Sequence, residues 1–258
     1  MKMRKKTIYD YPFEKKLNEI LRVEEIIKIE DYGIITACNK SHFIGLQFLI
    51  YSIKIKYDIK IFVFDIGMTE NQINYLKNNN VIVSERFVPP IDVGKYYWEA
   101  WAKPFYTINS PFKKSIWIDS DAIVTGNLQD LIELSKDKPL FTQDHSGVGD
   151  GTLNAKHLYK ELPINGFEQD CQPYINTGVY IVDLERDKKL LLTWCYCVTQ
   201  AMMNQNISCS ISCWDQGACK WALQKLKMTD TIISDVTFNY PALSRQRVLP
   251  ATPSGIRT

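Results

Sequence analysis

Three short apolar runs alternate with two helix-length stretches in the first third of this chain, and that alternation constrains the fold more than any other feature. Residues 33–38 (GIITAC), 59–64 (IKIFVF) and 81–83 are apolar enough to read as buried strands. Between them lie predicted helices over residues 43–55 and 70–78, the second with Thr69 placed to cap it. Strand, helix, strand, helix, strand in this order predicts parallel βαβ units and a doubly wound α/β sheet. A helix is expected over residues 96–108 and a fourth strand at 114–119 (KSIWID). Residues 144–173, rich in Gly, Asn, Asp and Pro, read as loops. Residues 174–184 (YINTGVYIVDL) read as a strand pair or a strand with a turn, followed by helices near 187–204 and 214–226. Ahead of all this, residues 12–29 place Phe13, Leu17, Ile20, Leu21 and Ile27 at helical spacing, an amphipathic helix preceding the main fold.

At 258 residues the chain can bury one sizeable core, so residues 1–258 are read as a single domain. The 31 basic and 29 acidic residues give a formal net charge of +2, which argues against nucleic acid as a partner. Basic clusters occur near the start (Lys2, Arg4, Lys5, Lys6) and near the end (Arg245, Arg247, Arg257). Solvated termini are the simpler reading of them, and contact with a phosphate or with anionic lipid at a membrane periphery is the alternative. The seven Cys form no Cys-x-x-Cys pair and no trusted zinc spacing, so buried free thiols in a reducing compartment are expected. Lys and Glu interrupt every apolar run before residue 30, which predicts no signal peptide, and no run approaches the ~20 apolar residues of a membrane span. The expected location is therefore cytoplasmic.

The most informative segment for chemistry is Ile116-Trp117-Ile118-Asp119-Ser120-Asp121. In an extended chain residues i and i+2 point the same way, so Asp119 and Asp121 would present two carboxylates together at the C-terminal end of a buried strand. Ligands of open α/β sheets bind at that end. Two close carboxylates repel, and a hard divalent cation such as Mn²⁺ or Mg²⁺ relieves the repulsion while leaving positions for phosphate oxygens. The competing reading is that these Asp residues merely shape a turn.

With these residues in view, the stretch from Ile34 to Tyr240 resembles the GT-A glycosyltransferases, most closely the family 8 type. Four pieces carry the resemblance. Ile34-Ile35-Thr36-Ala37-Cys38-Asn39 is similar to the first strand and its nucleoside-binding end, and Phe64-Asp65-Ile66-Gly67-Met68-Thr69 to the second strand and its turn. Trp117-Ile118-Asp119-Ser120-Asp121-Ala122, with Gly126-Asn127-Leu128 after it, resembles the Asp-x-Asp motif. Asn176-Thr177-Gly178-Val179 and Trp214-Asp215-Gln216 resemble the two later motifs around the donor sugar.

The resemblance implies a GT-A sandwich with a mainly parallel central sheet flanked by helices. It also implies that Asp121 binds the metal and that Asp119 binds it or the ribose, with Ser120 between them at the donor. Thr36, Ala37 and Asn39 would line the nucleoside pocket, with Asp65 at the neighbouring strand end. Lys103 stands where these enzymes often place a basic residue near the donor. Asn176, Asp215 and Gln216 would face the transferred sugar. Family 8 enzymes add a metal-binding His in a C-terminal segment His-x-x-Gly-x-x-Lys-Pro. The three His here, at 42, 145 and 157, lie in no such segment, so it is either cut from this chain or replaced.

The implied reaction is metal-dependent transfer from a UDP-sugar to a glycan or glycolipid hydroxyl, with retention of configuration. Two alternatives are a sugar-phosphate nucleotidyltransferase and a non-catalytic carbohydrate-binding module, the second suggested by 14 Tyr and 6 Trp. Against the first, residues 37–41 (ACNKS) lack the glycines of a phosphate-cradling loop.

Overall fold

The computed structural model describes residues 30–88, 101–143, 175–203 and 215–233. The helix expected over residues 12–29, the loops of 144–173 (with His145 and His157) and Trp214 lie outside them. Seven strands form one sheet in the order β3-β2-β1-β4-β6-β5-β7. Their spans are β1 Glu30–Cys38, β2 Ile61–Asp65, β3 Ile82–Arg86, β4 Phe112–Ile118, β5 Leu140–Gln143, β6 Ile175–Asp183 and β7 Ile232–Ile233. The helices are α1 Phe43–Lys54, α2 Glu70–Asn78, α3 Lys103–Ile108, α4 Leu128–Leu134, α5 Lys188–Met203 and α6 Asp215–Lys225.

Strands β1 to β4 run parallel, as the alternation of strands and helices predicts. The second half is different. Residues 175–183 make one continuous strand, not a pair, and it lies antiparallel to both β4 and β5. The sheet is thus mixed but mostly parallel. Strands β5 and β7 and helix α4 were not expected. Each is too short, four, two and seven residues, to show a period.

Alternation along each strand feeds two hydrophobic clusters, one per face. Ile34, Ile61, Val63, Ile116, Ile118, Val179 and Ile181 pack with Leu46, Leu49 and Ile53 of α1, Leu76 of α2 and Leu131 of α4. On the opposite face Ile35, Trp117, Phe141, Tyr180 and Val182 pack with α3, α5 and α6. That second face is aromatic. Trp117 stacks on Tyr106 at 5.8 Å and on Tyr180 at 5.9 Å, and Phe141 stacks on Tyr180 at 5.4 Å, a ladder of rings across β4, β6 and β5. Gly33 leaves room for the Phe112 ring: a Cβ there would stand 2.4 Å from it.

Helix α2 is set by its ends. Thr69 accepts from the Gln72 backbone N–H, and the Gln72 side chain accepts from the Thr69 N–H, a capping box that fixes the expected 70–78 span.

Candidate functional site

The chain leaves β1 toward β2 and β3 on one side, then returns to lay β4 on the other side of β1. That reversal opens a crevice at the C-terminal ends of β1 and β4, where open α/β sheets take ligands. Because β6 is antiparallel to β4, its first residues lie at the same edge, and the Asp119 N–H donates to the Gly178 carbonyl at 2.9 Å. Residues from β1, β4, β6 and the starts of α3 and α6 therefore meet there.

The meeting point is Lys103, at the first position of α3 and nearly buried. Its Nζ lies 2.9 Å from Asp119 Oδ1 and 3.4 Å from Asp215 Oδ2. It also donates to the Thr177 carbonyl at 3.1 Å and to Thr177 Oγ1 at 3.3 Å. Thr177 Oγ1 in turn donates to Asp215 Oδ2. Asp119 is held from a second direction by the Trp117 indole N–H at 2.7 Å, and Lys103 Nζ sits 5.8 Å from the centre of that same Trp117 ring. Trp194, fully buried, donates its indole N–H to the Asp215 carbonyl at 3.1 Å.

The electrostatics follow from burial and pairing. Desolvation works against the Lys103 ammonium, but Asp119 and Asp215 outweigh it and hold its pKa above the ordinary lysine value. Desolvation pushes the Asp215 carboxyl up, and Lys103 and Thr177 pull it back only in part. One cation thus serves two carboxylates, and one of them, Asp215, is buried.

Asp121 differs from Asp119. The chain turns after β4, with the Ala122 N–H donating to the Asp119 carbonyl, so the extended-strand alternation expected for the pair stops at Asp119. The residue that shares a side with Asp119 by that alternation is Trp117. Asp121 is exposed on the turn and its carboxylate has no hydrogen-bond partner among the described residues. Gly45 of α1 packs against this turn: a Cβ there would meet the Ser120 carbonyl at 2.9 Å and Asp121 Cα at 3.1 Å. Glycine is therefore required for the turn to sit this close to α1.

The remaining expected residues reach the same edge but spend their side chains locally. Thr36 is fully buried, and its neighbours at i−2 and i+2, Ile34 and Cys38, belong to the aliphatic cluster. Its hydroxyl, unpartnered, therefore lies on the α1 side of the sheet, and only its backbone faces the crevice edge. Ala37 packs on the aromatic face. Asn39 Oδ1 accepts from the Ser41 and His42 N–H groups and shapes the turn into α1. Asp65 Oδ1 accepts from the Gly67 and Met68 N–H groups at 2.9 and 2.8 Å, with Arg86 at 3.7 Å, and so shapes the turn after β2, where Gly67 has a φ of +136°. Asn176 Oδ1 accepts from the Gly178 N–H at 2.7 Å, and Gln216 Nε2 donates to the Ile175 carbonyl at 3.0 Å.

Sequence reasoning passed over Thr177, Trp117 and Trp194 as working residues. The first two were visible inside the quoted motifs. Trp117 stands two residues before Asp119 on a strand, and that spacing alone predicts contact. The described cysteines Cys38, Cys195, Cys197 and Cys219 are free and buried, and burial raises the Cys38 thiol to about 12.

No protein-family model matches the chain, and no curated protein matches it in sequence. Solved structures do match. The galactosyltransferase LgtC, in complex with donor and acceptor sugar analogs, covers 78% of this chain and 72% of its own, with a TM-score of 0.57 and 14% identity. The apo structure of the bifunctional glycosyltransferase WbbM covers 79% of this chain with a TM-score of 0.55 and 16% identity, and the chain spans 38% of it. The glycosyltransferase GlyE of Streptococcus pneumoniae covers 82% of this chain and 47% of its own, with a TM-score of 0.53 and 15% identity. The fold is that of the GT-A glycosyltransferases. At such identities the likeness is one of fold, and function rests on the site.

Proposed function

We propose that this chain is a glycosyltransferase that moves a sugar from a UDP-linked donor to a hydroxyl of a glycan or glycolipid, with retention of configuration as in the family 8 enzymes it resembles. One observation carries this reading. The carboxylates Asp119, Asp121 and Asp215 and the cation Lys103 stand with Asn176 and Gln216 at a single sheet edge, on the GT-A fold and at the switch between β1 and β4.

The donor set at the turn fits a hard divalent cation. Asp121 offers unclaimed carboxylate oxygens, and Asp119 Oδ2, which accepts from Lys103 alone, keeps a lone pair. No group of three His, Cys, Asp or Glu gathers among the described residues, so diphosphate oxygens and water would complete the shell. Bound there, Mn²⁺ or Mg²⁺ supplies positive charge to the diphosphate as the sugar–phosphate bond breaks.

The chain's own residues do the rest. The backbone at Thr36, Ala37 and Asn39 borders the nucleoside, with Asp65 fixing the adjoining turn and Ser120 the approach to the donor. Lys103 adds positive charge beside the leaving diphosphate and keeps Asp119 and Asp215 apart in role. Asp215, Gln216 and Asn176 face the sugar, with Asp215 nearest the anomeric carbon.

The test is a panel of nucleotide sugars assayed for hydrolysis with Mn²⁺ and with chelator. The parent should hydrolyse at least one of them in a Mn²⁺-dependent way. Asp215→Asn and Asn176→Ala should leave UDP binding nearly unchanged and cost about 2 kcal/mol or more in transition-state stabilisation. Weakened UDP affinity with turnover preserved would move both residues to the nucleoside pocket.

A further inference from the structure

Helix α1 has two apolar faces. Leu46, Leu49, Ile50 and Ile53 are buried against the sheet. Ile44, Phe48, Tyr51 and Ile55 repeat at intervals of four, three and four residues and are 69%, 59%, 67% and 59% exposed. At 3.6 residues per turn these four form a narrow stripe about 180° from the buried face, pointing straight away from the protein. Scattered exposed apolar residues need no explanation, but an ordered row of four large ones does.

The stripe continues sideways. Residues 120–126 run beside α1: the Ser120–Asp121 turn packs on Gly45, the Val124 N–H donates to Ser52 Oγ at 3.0 Å, and Tyr57 donates to the Gly126 carbonyl at 2.8 Å. Ile123 in that segment is 61% exposed. One end of the patch therefore adjoins the Asp119–Asp121 turn itself.

Helix α1 and the turns at its two ends carry basic charge only. Residues 33–57 contain no Asp or Glu. Lys40, Lys54 and Lys56 are all exposed around α1. Lys54 and Lys56 donate to the carbonyls of Asn79 and Thr125, which are neutral groups and leave both ammonium charges uncancelled. Acidic groups lie close by as well: Asp121 at the candidate site, Asp58 past the far end, and Glu70 in the first turn of α2, whose Gln72 donates to the Lys40 carbonyl. Among the described residues none of them forms an ion pair with Lys40, Lys54 or Lys56. An apolar stripe of Ile, Phe and Tyr rimmed by lysine has the chemistry of a surface that lies on anionic lipid.

We propose that the outward face of α1, with Ile123, seats this protein on an anionic lipid surface and presents the Asp119–Asp121 turn to acceptors anchored in that surface. The seating stands on α1 alone, and the lipid-anchored class of acceptor rests on the transferase reading. Phe48 and Ile55 insert their side chains among the lipid tails, while Lys54 and Lys56 pair with headgroup phosphates.

The test is flotation of the full chain with phosphatidylcholine vesicles carrying about a third phosphatidylglycerol, against vesicles of phosphatidylcholine alone. The parent should float with the anionic vesicles, with the bound fraction falling as salt rises. The double variant Phe48→Asp/Ile55→Asp should lose binding at least tenfold with its melting temperature unchanged, and Lys54→Glu/Lys56→Glu should lose it at low salt. Both should still bind UDP as the parent does, so failure of the lipid site is separable from failure of the transferase reading. No flotation of the parent at low salt, or equal flotation of the Phe48→Asp/Ile55→Asp variant, would overturn the proposal. A parent dimer in sedimentation that this variant dissolves, without vesicle binding, assigns the face to a second copy and overturns it. A lowered melting temperature of the variant, without vesicle binding, assigns it to residues 12–29 and overturns it likewise.

Discussion

The two faces of the sheet are built from different materials. The face under α1, α2 and α4 is aliphatic: Ile34, Leu46, Leu49, Ile53, Val63, Ile116 and Ile181. The face under α3, α5 and α6 is aromatic, and its rings carry polar handles. The Trp117 indole N–H holds Asp119, the Trp194 indole N–H holds the Asp215 carbonyl, and the Tyr180 hydroxyl lies 2.6 Å from Thr107 Oγ1. On the first face the Gly45 and Ser52 side of α1 touches the turn that carries Asp121, while the aliphatic packing beneath α1 holds no charged group of the site. On the second, the core and the candidate site are the same set of atoms.

This contrast can be broken most forcefully at Lys103. Lys103→Met leaves Asp215 buried beside Asp119 with no cation, and should destabilise the fold by about 3–5 kcal/mol near neutral pH. The sign with pH is fixed by the two shifts. The Lys103 pKa is raised on folding, so its stabilisation is full below the ordinary lysine range and is lost only in strong alkali. The Asp215 pKa is raised by burial, so its ionisation weakens the fold as pH climbs through the acid range, and more so without Lys103. Urea unfolding should therefore show the gap between parent and variant closing as pH falls through the acid range and Asp215 takes up a proton. A gap independent of pH would mean that Lys103 contributes through packing alone.

A change of similar kind on the other face separates stability from function. Leu49→Ala, beneath α1, should cost about 2–4 kcal/mol by cavity formation and leave UDP affinity of the folded protein unchanged. Altered UDP affinity would show that the aliphatic face also positions the site. The smallest effect is expected at Trp117→Phe, which keeps a stacked ring but removes the indole N–H from Asp119. About 1 kcal/mol of stability should be lost, with a larger relative loss of Mn²⁺-dependent UDP binding as the Asp119 carboxylate is left held by Lys103 alone. Loss of stability without any change in metal dependence would limit Trp117 to the core.

The first half of the fold was readable because it repeats one pattern. Buried parallel strands are continuous apolar runs, and the 70–78 helix announces itself by Thr69 at its start. The second half obeys no local rule of that kind. Whether β6 lies parallel or antiparallel to β4 depends on pairing between segments about sixty residues apart, which no window of sequence contains. Leu140–Gln143 and Leu128–Leu134 are too short to show a period.

The site divides in the same way. Asp119, Asp121 and Lys103 could each be named from their motifs, but the bridge from Lys103 to both Asp119 and Asp215 joins β4 to α3 and α6 and exists only in three dimensions. The i, i+2 argument placed Asp119 and Asp121 together in an extended strand. Ending β4 at Ile118 turns the chain instead and gives the two carboxylates different surroundings, one pinned by Lys103 and Trp117 and one open.

The open carboxylate is where the account is most exposed. Calorimetry of UDP binding, with and without Mn²⁺, on the parent and on Asp121→Asn tests it directly. Asp121 is exposed, so the variant should melt with the parent. The parent should bind UDP at least tenfold more tightly with Mn²⁺, and the variant should gain nothing from the metal. An equal Mn²⁺-dependent gain in both proteins would contradict a metal site at the end of β4.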